Sequence, residues 1–134
     1  MRIALALAVA VAALVAAPSA SAATFFHNPS GNITCVVDRT SIARCDIRHR
    51  TWTPPPKPRS CPGDWANGMQ VGFRGRGRFT CASDAVPAGR ELGYGESIRR
   101  GRFRCTARRH TGMRCVNLRT EHGFALSRDR ARWF

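Results

Sequence analysis

The chain has 134 residues, of which 22 are Lys or Arg and 8 are Asp or Glu, so its formal charge at neutral pH is +14. This length suits one domain and leaves too little apolar sequence for two independent cores. So large an excess of positive charge favours polyanions as partners.

The first 22 residues have the pattern of a secretory signal peptide. Arg2 precedes an apolar run from Ile3 to Ala17, and small residues follow up to Ala22, after which we expect cleavage. The apolar run is shorter than the roughly 20 residues that a membrane-spanning helix needs. The sequence therefore predicts a secreted protein whose mature part, residues 23–134, is a single domain without a membrane span.

Six cysteines lie in the predicted mature chain, and an even number in a small exported domain indicates a disulfide framework. They are Cys35, Cys45, Cys61, Cys81, Cys105 and Cys115. No two are closer than ten positions, whereas zinc fingers, zinc ribbons and thioredoxin-type sites need tighter pairs. We therefore expect structural disulfides, with no metal and no cofactor.

A short unit recurs around the cysteines: Gly, any residue, a large apolar residue, Thr or Arg, then Cys. It occupies residues 31–35, 77–81 and 101–105. In the first and third copies a further Arg-Cys follows, with the second cysteine ten positions after the first, at a constant offset of 70. These spacings predict repeated β-hairpins.

The register of each hairpin follows if cysteines ten positions apart face each other. Pairing Cys35 with Cys45 places Ile33 opposite Ile47, which makes one face of the hairpin apolar, as in a half-buried strand pair. Directly opposed strand residues are close enough for a disulfide, and the last two cysteines pair by elimination. The predicted disulfides are Cys35–Cys45, Cys105–Cys115 and Cys61–Cys81.

Several segments between and after these hairpins have recognisable patterns. Residues 53–58 are rich in proline, which favours an extended path across the surface outside a sheet. Residues 69–81 predict another hairpin around an Arg-Gly turn, and 93–95 predict a turn. Residues 124–126 predict a short strand, whereas 127–134 fit a helix or a strand.

No amphipathic helix longer than about two turns can be drawn along the chain. The predicted fold class is therefore mainly β: a small disulfide-stapled sandwich or barrel built from repeated β-hairpins.

Residues 97–120 contain eight arginines and no acid. If Cys105 faces Cys115, Phe103 lies opposite Asn117, which fits an apolar face less well, and the intervening residues point to the other face. The arginines placed on that face are Arg102, Arg104, Arg108 and Arg114. We expect a cationic stripe that binds the phosphates of a cell-envelope polymer or of nucleic acid. The alternative is a solvated face in an arginine-rich chain.

The sequence also resembles a known family. The segments that carry the likeness are residues 28–35, 44–47, Trp52 with its prolines, 94–95 and 121–128. They are similar to a family of small, secreted, cysteine-containing actinobacterial proteins of unknown function. The resemblance implies export and a disulfide-linked domain but no catalytic residue. Gly93 stands where that family commonly has proline, and Glu121 where it commonly has glycine.

A small secreted hydrolase, similar to a ribonuclease, is the main alternative function, because an acid–base pair and a cationic clamp are what that chemistry needs. The candidate residues are His27, His49, His110 and His122, with acids such as Asp46, Glu96 and Glu121. No spacing singles out a pair, and the common hydrolase motifs are missing from the sequence. His122, beside Gly123, is the best single candidate.

A protein-binding or inhibitory module is the third possibility, since small disulfide-linked domains present rigid loops to partners. The candidate contact residues are the predicted hairpin tip at 110–112 and the pair Trp133-Phe134. The alternative role of the aromatic pair is to close the core. Of the three functions we favour a monomeric, non-catalytic binding module for anionic polymers.

Overall fold

The computed structural model describes residues 23–134, which form eleven strands in two sheets and the loops between them. The predicted signal peptide, residues 1–22, lies outside the described residues. The strands of the first sheet are β1 (Ala23–His27), β2 (Ile33–Asp38), β3 (Ala43–Ile47), β4 (Trp65–Val71), β5 (Arg78–Cys81) and β6 (Arg90–Glu91). The strands of the second are β7 (Ser97–Arg100), β8 (Phe103–Arg108), β9 (Gly112–Asn117), β10 (Gly123–Leu126) and β11 (Ala131–Trp133).

Neighbouring strands are antiparallel in both sheets, except that β6 pairs parallel with β1. The strand order is β5-β4-β3-β2-β1-β6 in the first sheet and β11-β10-β9-β8-β7 in the second. The two sheets pack face to face around a shared apolar core. The mainly β prediction is thus confirmed in its sandwich form. Within residues 23–134, no helix is long and apolar enough to cross a membrane.

The repeated hairpins are β2–β3 and β8–β9, and their registers are those that the cysteine spacing predicts. In each hairpin the two cysteines lie opposite each other, and Ile33 lies opposite Ile47 in the first. Alternate residues of β2 are buried, starting from Ile33, because one face of the strand meets the core. All three predicted disulfides are confirmed: Cys35–Cys45, Cys61–Cys81 and Cys105–Cys115.

The two hairpins face each other head to tail. The turn after β2 meets the base of β8, where a Cβ atom added to Gly101 would lie 3.1 Å from the carbonyl oxygen of Arg39. At the centre of the sandwich the two hairpin disulfides touch, with 3.7 Å between the sulfurs of Cys45 and Cys115. Both residues are fully buried, so this is a van der Waals contact inside the core. Each hairpin contributes its disulfide to the same packing layer.

One polar side chain lies in the core because it bridges two segments. Asn117 is fully buried opposite Phe103. Its Nδ2 donates to the carbonyl oxygen of Gly72 at 3.0 Å, and its Oδ1 accepts from the backbone N–H of Arg119 at 3.0 Å. Buried amides need such partners, and these hydrogen bonds tie the end of β4 to the end of β9. Asn117 therefore occupies the position opposite Phe103 that the cysteine spacing predicts, and its buried amide has hydrogen-bond partners there.

An ion pair on the outer face of the first sheet anchors the segment after β5. Arg44 is 7% exposed and donates to the two carboxylate oxygens of Asp46 at 2.9 and 3.0 Å. It also donates to the carboxylate of Asp84 at 3.1 Å, and Asp46 accepts from the Val86 N–H at 3.0 Å. Both oxygens of Asp46 are thus engaged in holding the structure, which leaves it unsuited to the acid–base role considered for a hydrolase.

The other segments follow their predictions. Residues 53–58 run outside the sheets, and the carbonyl oxygen of Pro55 accepts a hydrogen bond from the indole of Trp65 at 2.9 Å. Residues 69–81 form a hairpin of β4 and β5, whose register is irregular between Trp65 and Met69. The segment 127–134, for which helix and strand were both open, contributes β11.

The turns at Gly93 and Glu121 differ in backbone strain. Residues 93–96 form a turn closed by a hydrogen bond of 3.0 Å from the Glu96 N–H to the Gly93 carbonyl oxygen. Glu121, between β9 and β10, has a φ of +63°. This left-handed conformation costs a residue with a Cβ about 1 kcal/mol, a cost that glycine does not have.

Candidate anion-binding face

The alternation of β8 directs its arginines to the outer face of the second sheet. Phe103, Cys105 and Ala107 are fully buried, whereas Arg104 and Arg108 are exposed. Because successive side chains of a strand point to opposite faces, burial of the first set requires exposure of the second. The cysteine register therefore places both arginines where the sequence predicted them.

A row of side chains crosses this outer face at the level of Arg114. Arg114 in β9 lies opposite Thr106 in β8 and Ala125 in β10, and Ala125 lies opposite Arg132 in β11. Adjacent strands are separated by about 4.8 Å, so the backbones that carry Arg114 and Arg132 are about 10 Å apart. The short side chain of Ala125 leaves an open floor between two cationic side chains.

This floor belongs to a groove of about 980 Å³. The arginines that line it are Arg108, Arg114, Arg130 and Arg132. Among the described residues of its lining, Asp129 is the one acid. A hydrogen bond of 2.8 Å from the Ser127 N–H to the Arg130 carbonyl oxygen closes the turn before β11 and fixes the backbone position of Arg130. Positive charge therefore dominates the groove.

The arginines of this face are close enough to repel one another. Partial burial lowers the pKa of Arg114, and the charges of Arg108 and Arg104 lower it further. The guanidinium carbon of Arg114 lies 4.8 Å from the centre of the Phe134 ring, which is a cation–π contact. An anion bound among these side chains would offset the repulsion.

The two terminal aromatic residues have different environments. The backbone of Phe134 exchanges two hydrogen bonds with Gly123, of 2.9 and 3.0 Å, and its ring lies under Arg114 on the outer face. Trp133 packs edge-on against Phe79 of the first sheet, with 5.6 Å between ring centres, and is 45% exposed. Both residues therefore line the groove, and Trp133 also covers Phe79 at the edge of the sandwich.

Of the other predicted arginines, Arg104 lies on the outer face without lining the groove, and Arg102 lies away from both. It precedes β8 and follows Gly101, whose φ of +57° belongs to a turn, so the alternation of β8 does not set its direction. Its guanidinium carbon lies 4.1 Å from the centre of the Phe73 ring, at the end of β8 opposite to Arg108. The structure thus groups Arg104, Arg108 and Arg114 and separates Arg102 from them.

Two groove residues, Arg130 and Arg132, were missed by the sequence reasoning. Residues 127–134 had been left open between helix and strand, so no face was assigned to them. A signal was present, because Arg128, Arg130 and Arg132 alternate with the period of a strand.

The histidines considered for a hydrolase lie on separate elements. His27 is in β1, His49 follows β3, His110 is in the turn between β8 and β9, and His122 is in the turn between β9 and β10. Of these, His49 and His110 line one cleft of about 450 Å³, together with Asp129 and Arg108 of the groove. His122 is not in this cleft. In the described part of the chain, no group of three or more His, Cys, Asp or Glu side chains forms a potential metal site.

Comparison with known proteins gives a family but no activity. A family model matches residues 5–134, and its description is "Family of unknown function (DUF6636)". No curated protein and no solved structure matches the chain. The function must therefore be argued from the groove itself.

Proposed function

The chain belongs to DUF6636, a family of unknown function, and we propose that it is a monomeric, non-catalytic binding module for anionic polymers. The polymer lies along the groove on the outer face of the second sheet. We further propose that the protein is exported, since three disulfides persist best in an oxidising compartment. A phosphate-bearing polymer of the cell envelope is the ligand that this location favours.

The charge of the groove is the observation that carries the proposal. Four guanidinium groups share it with one acidic side chain, that of Asp129. By contrast, Arg44 on the first sheet is neutralised by Asp46 and Asp84. The planar fork of arginine donors matches the oxygens of phosphate, so the groove suits a ligand with several such groups.

The spacing of the arginines favours a polymer over a single small anion. The groove, at about 980 Å³, is many times larger than one phosphate or sulfate ion, and its four arginines come from β8, β9, β11 and the turn before β11. A chain of phosphates can contact several guanidinium groups in turn, and each contact releases counterions. Phe134 adds an apolar surface beneath Arg114 for the uncharged part of the polymer.

Fluorescence anisotropy with a labelled single-stranded oligonucleotide, used as a phosphate polymer, tests the proposal. The protein is the oxidised chain 23–134, titrated at several salt concentrations. For single strands the logarithm of the binding constant falls with the logarithm of salt concentration by about 0.7 per phosphate contact. Changing the four groove arginines to Gln should therefore reduce that slope by about 3 and remove most of the binding.

A charge-matched control separates a site from general basicity. The control changes four exposed arginines elsewhere to Gln: Arg59, Arg74, Arg76 and Arg90. Both variants lose the same net charge, so we expect the control to retain most of its affinity and slope. Equal losses in the two variants would show that the protein binds polyanions through its net charge without a localised groove.

A small secreted hydrolase is the second candidate, because His49 and His110 line one cleft with Asp129 and Arg108. Two imidazoles beside a guanidinium are the groups that acid–base cleavage of a phosphodiester uses. Incubation of the protein with labelled RNA tests this function. Cleavage that is lost in His49→Ala and in His110→Ala would support the hydrolase. RNA that stays intact at neutral pH would exclude it and leave the binding module as the function.

A further inference from the structure

We infer that the cleft around Arg102 is a second anion site, which takes a single tetrahedral oxyanion such as a phosphate or sulfate group. The cleft has a volume of about 450 Å³, less than half that of the polymer groove. Its arginines are Arg39, Arg99, Arg102 and Arg119. No residue lines both places, so this inference does not rest on the proposed polymer binding.

The head-to-tail packing of the hairpins brings these arginines together from distant parts of the sequence. Arg39 comes from the turn between β2 and β3, and Arg119 follows β9. Arg99 lies in β7, where its Nε donates to the Gly101 carbonyl oxygen at 3.2 Å. The Leu118 N–H donates to the Arg102 carbonyl oxygen at 2.7 Å and holds the base of the hairpin closed. The cleft is therefore built on backbone that both sheets fix.

Aromatic stacking holds the guanidinium of Arg102 in place. Phe73 stacks on the buried Phe103, with 5.7 Å between ring centres and 12° between ring planes, and Arg102 lies 4.1 Å above the exposed side of Phe73. The ring covers one face of the guanidinium, whereas the N–H donors lie in the guanidinium plane at its edge. A positioned guanidinium loses less entropy when it binds an oxyanion.

The charges in this cleft have no acidic counterpart. Among the described residues that line it, none is Asp or Glu. The ion pairs of residues 23–134 are those of Arg44 with Asp46 and Asp84, on the outer face of the first sheet. Four arginines that share a small cleft repel one another, and a doubly charged oxyanion offsets that repulsion with several charge-assisted hydrogen bonds.

The small cleft suits one compact group better than a length of polymer. Inorganic phosphate and the terminal phosphate of a chain share this chemistry. Three probes distinguish these sources: inorganic phosphate, a 5′-phosphorylated oligonucleotide, and the same oligonucleotide without the 5′-phosphate. Tighter binding of the phosphorylated than of the unphosphorylated oligonucleotide, lost in Arg102→Gln, identifies a chain end as the ligand, whereas equal affinity of the two oligonucleotides, with saturable binding of inorganic phosphate, identifies the free anion.

Nuclear magnetic resonance of the ¹⁵N-labelled chain 23–134, titrated with inorganic phosphate, locates the site. We expect saturable shifts of the arginine Nε–H signals of Arg99, Arg102 and Arg119, and of the Gly101 backbone amide. The variant Arg102→Gln should weaken phosphate binding at least tenfold. Shifts spread evenly over all exposed arginines would overturn the inference, whatever the polymer experiment shows.

A matched control comes from the other end of the sandwich. Arg109 lies 4.6 Å above the ring of Tyr94, and Tyr94 and Phe73 are both 39% exposed. Arg109→Gln should therefore leave the phosphate affinity of the Arg102 cleft unchanged, and an equal loss in both variants overturns the inference. Phe73→Leu keeps all charges but removes the stacking, so it should weaken phosphate binding while the disulfides still form.

Discussion

Removal of the Cys105–Cys115 disulfide should destabilise the fold more than removal of Cys61–Cys81, although the latter closes a longer loop. The perturbation is substitution of both cysteines of a pair by Ala. The two bonds join residues 10 and 20 positions apart. In the chain-entropy model such bonds contribute about 2.7 and about 3.3 kcal/mol, so entropy alone predicts the opposite order.

Packing reverses that order. Cys105 and Cys115 are fully buried, and the Cys115 sulfur lies 3.7 Å from that of Cys45. Loss of each buried sulfur removes contacts and leaves a cavity where the sheets meet, at about 1 kcal/mol per group. Cys81 is exposed and Cys61 is buried, so the other pair loses only one such group. The expected losses are about 5 kcal/mol for Cys105–Cys115 and about 4 kcal/mol for Cys61–Cys81.

Urea unfolding of the oxidised chain 23–134 and of the two variants measures this difference. Tryptophan fluorescence and circular dichroism should give coincident transitions, and the free energies of unfolding follow from the midpoints and slopes. If the Cys61–Cys81 variant loses as much stability as the Cys105–Cys115 variant, or more, the contact between the two disulfides contributes nothing and the reasoning is refuted.

Three further predictions concern single residues. Glu121→Gly should raise the free energy of unfolding by about 0.5–1 kcal/mol, because glycine adopts a φ of +63° without strain at a Cβ. Glu121→Ala keeps the Cβ, so an equal rise in its urea midpoint would contradict this cause. Asn117→Leu should lower stability by roughly 1–3 kcal/mol in the same assay, since the Gly72 carbonyl oxygen loses its donor, and an unchanged midpoint would show that water replaces the amide. The hydrogen bond and charge of Arg44 lower the pKa of Asp84 below 3.8, so the stability that Asp84 contributes is present above that pH and is lost as the pH falls through its folded pKa. The urea midpoint of Asp84→Asn should accordingly fall less steeply in acid, and parallel curves would exclude the ion pair as the cause.

Local spacing was enough to predict the hairpins, because one cysteine pair fixes the register of two strands. With Cys35 opposite Cys45, every other cross-strand pair of β2 and β3 follows from the pleat. The same geometry placed Arg104, Arg108 and Arg114 correctly on the outer face. It did not extend to Arg102, since that residue precedes the strand and the turn at Gly101 sets its direction.

The parts that sequence reasoning did not reach depend on contacts between distant segments. Nothing in the repeat shows that the hairpins pack head to tail, so the contact of Cys45 with Cys115 and the cleft beside Arg39 were not foreseeable. The same holds for the partners of Asn117. Its position opposite Phe103 was predicted, but the Gly72 carbonyl oxygen that satisfies its amide lies directly after β4 of the other sheet.

The burial of the two touching disulfides sets an order of events during oxidative folding. Thiolate attack requires access to the sulfur, and in the finished sandwich the four hairpin cysteines have no exposed surface. Both bonds must therefore form while each hairpin is still open to oxidant, which is feasible because the partners are near in sequence and meet early. The Cys61–Cys81 bond reaches the surface at Cys81, so it alone can be closed or exchanged after the sheets have docked.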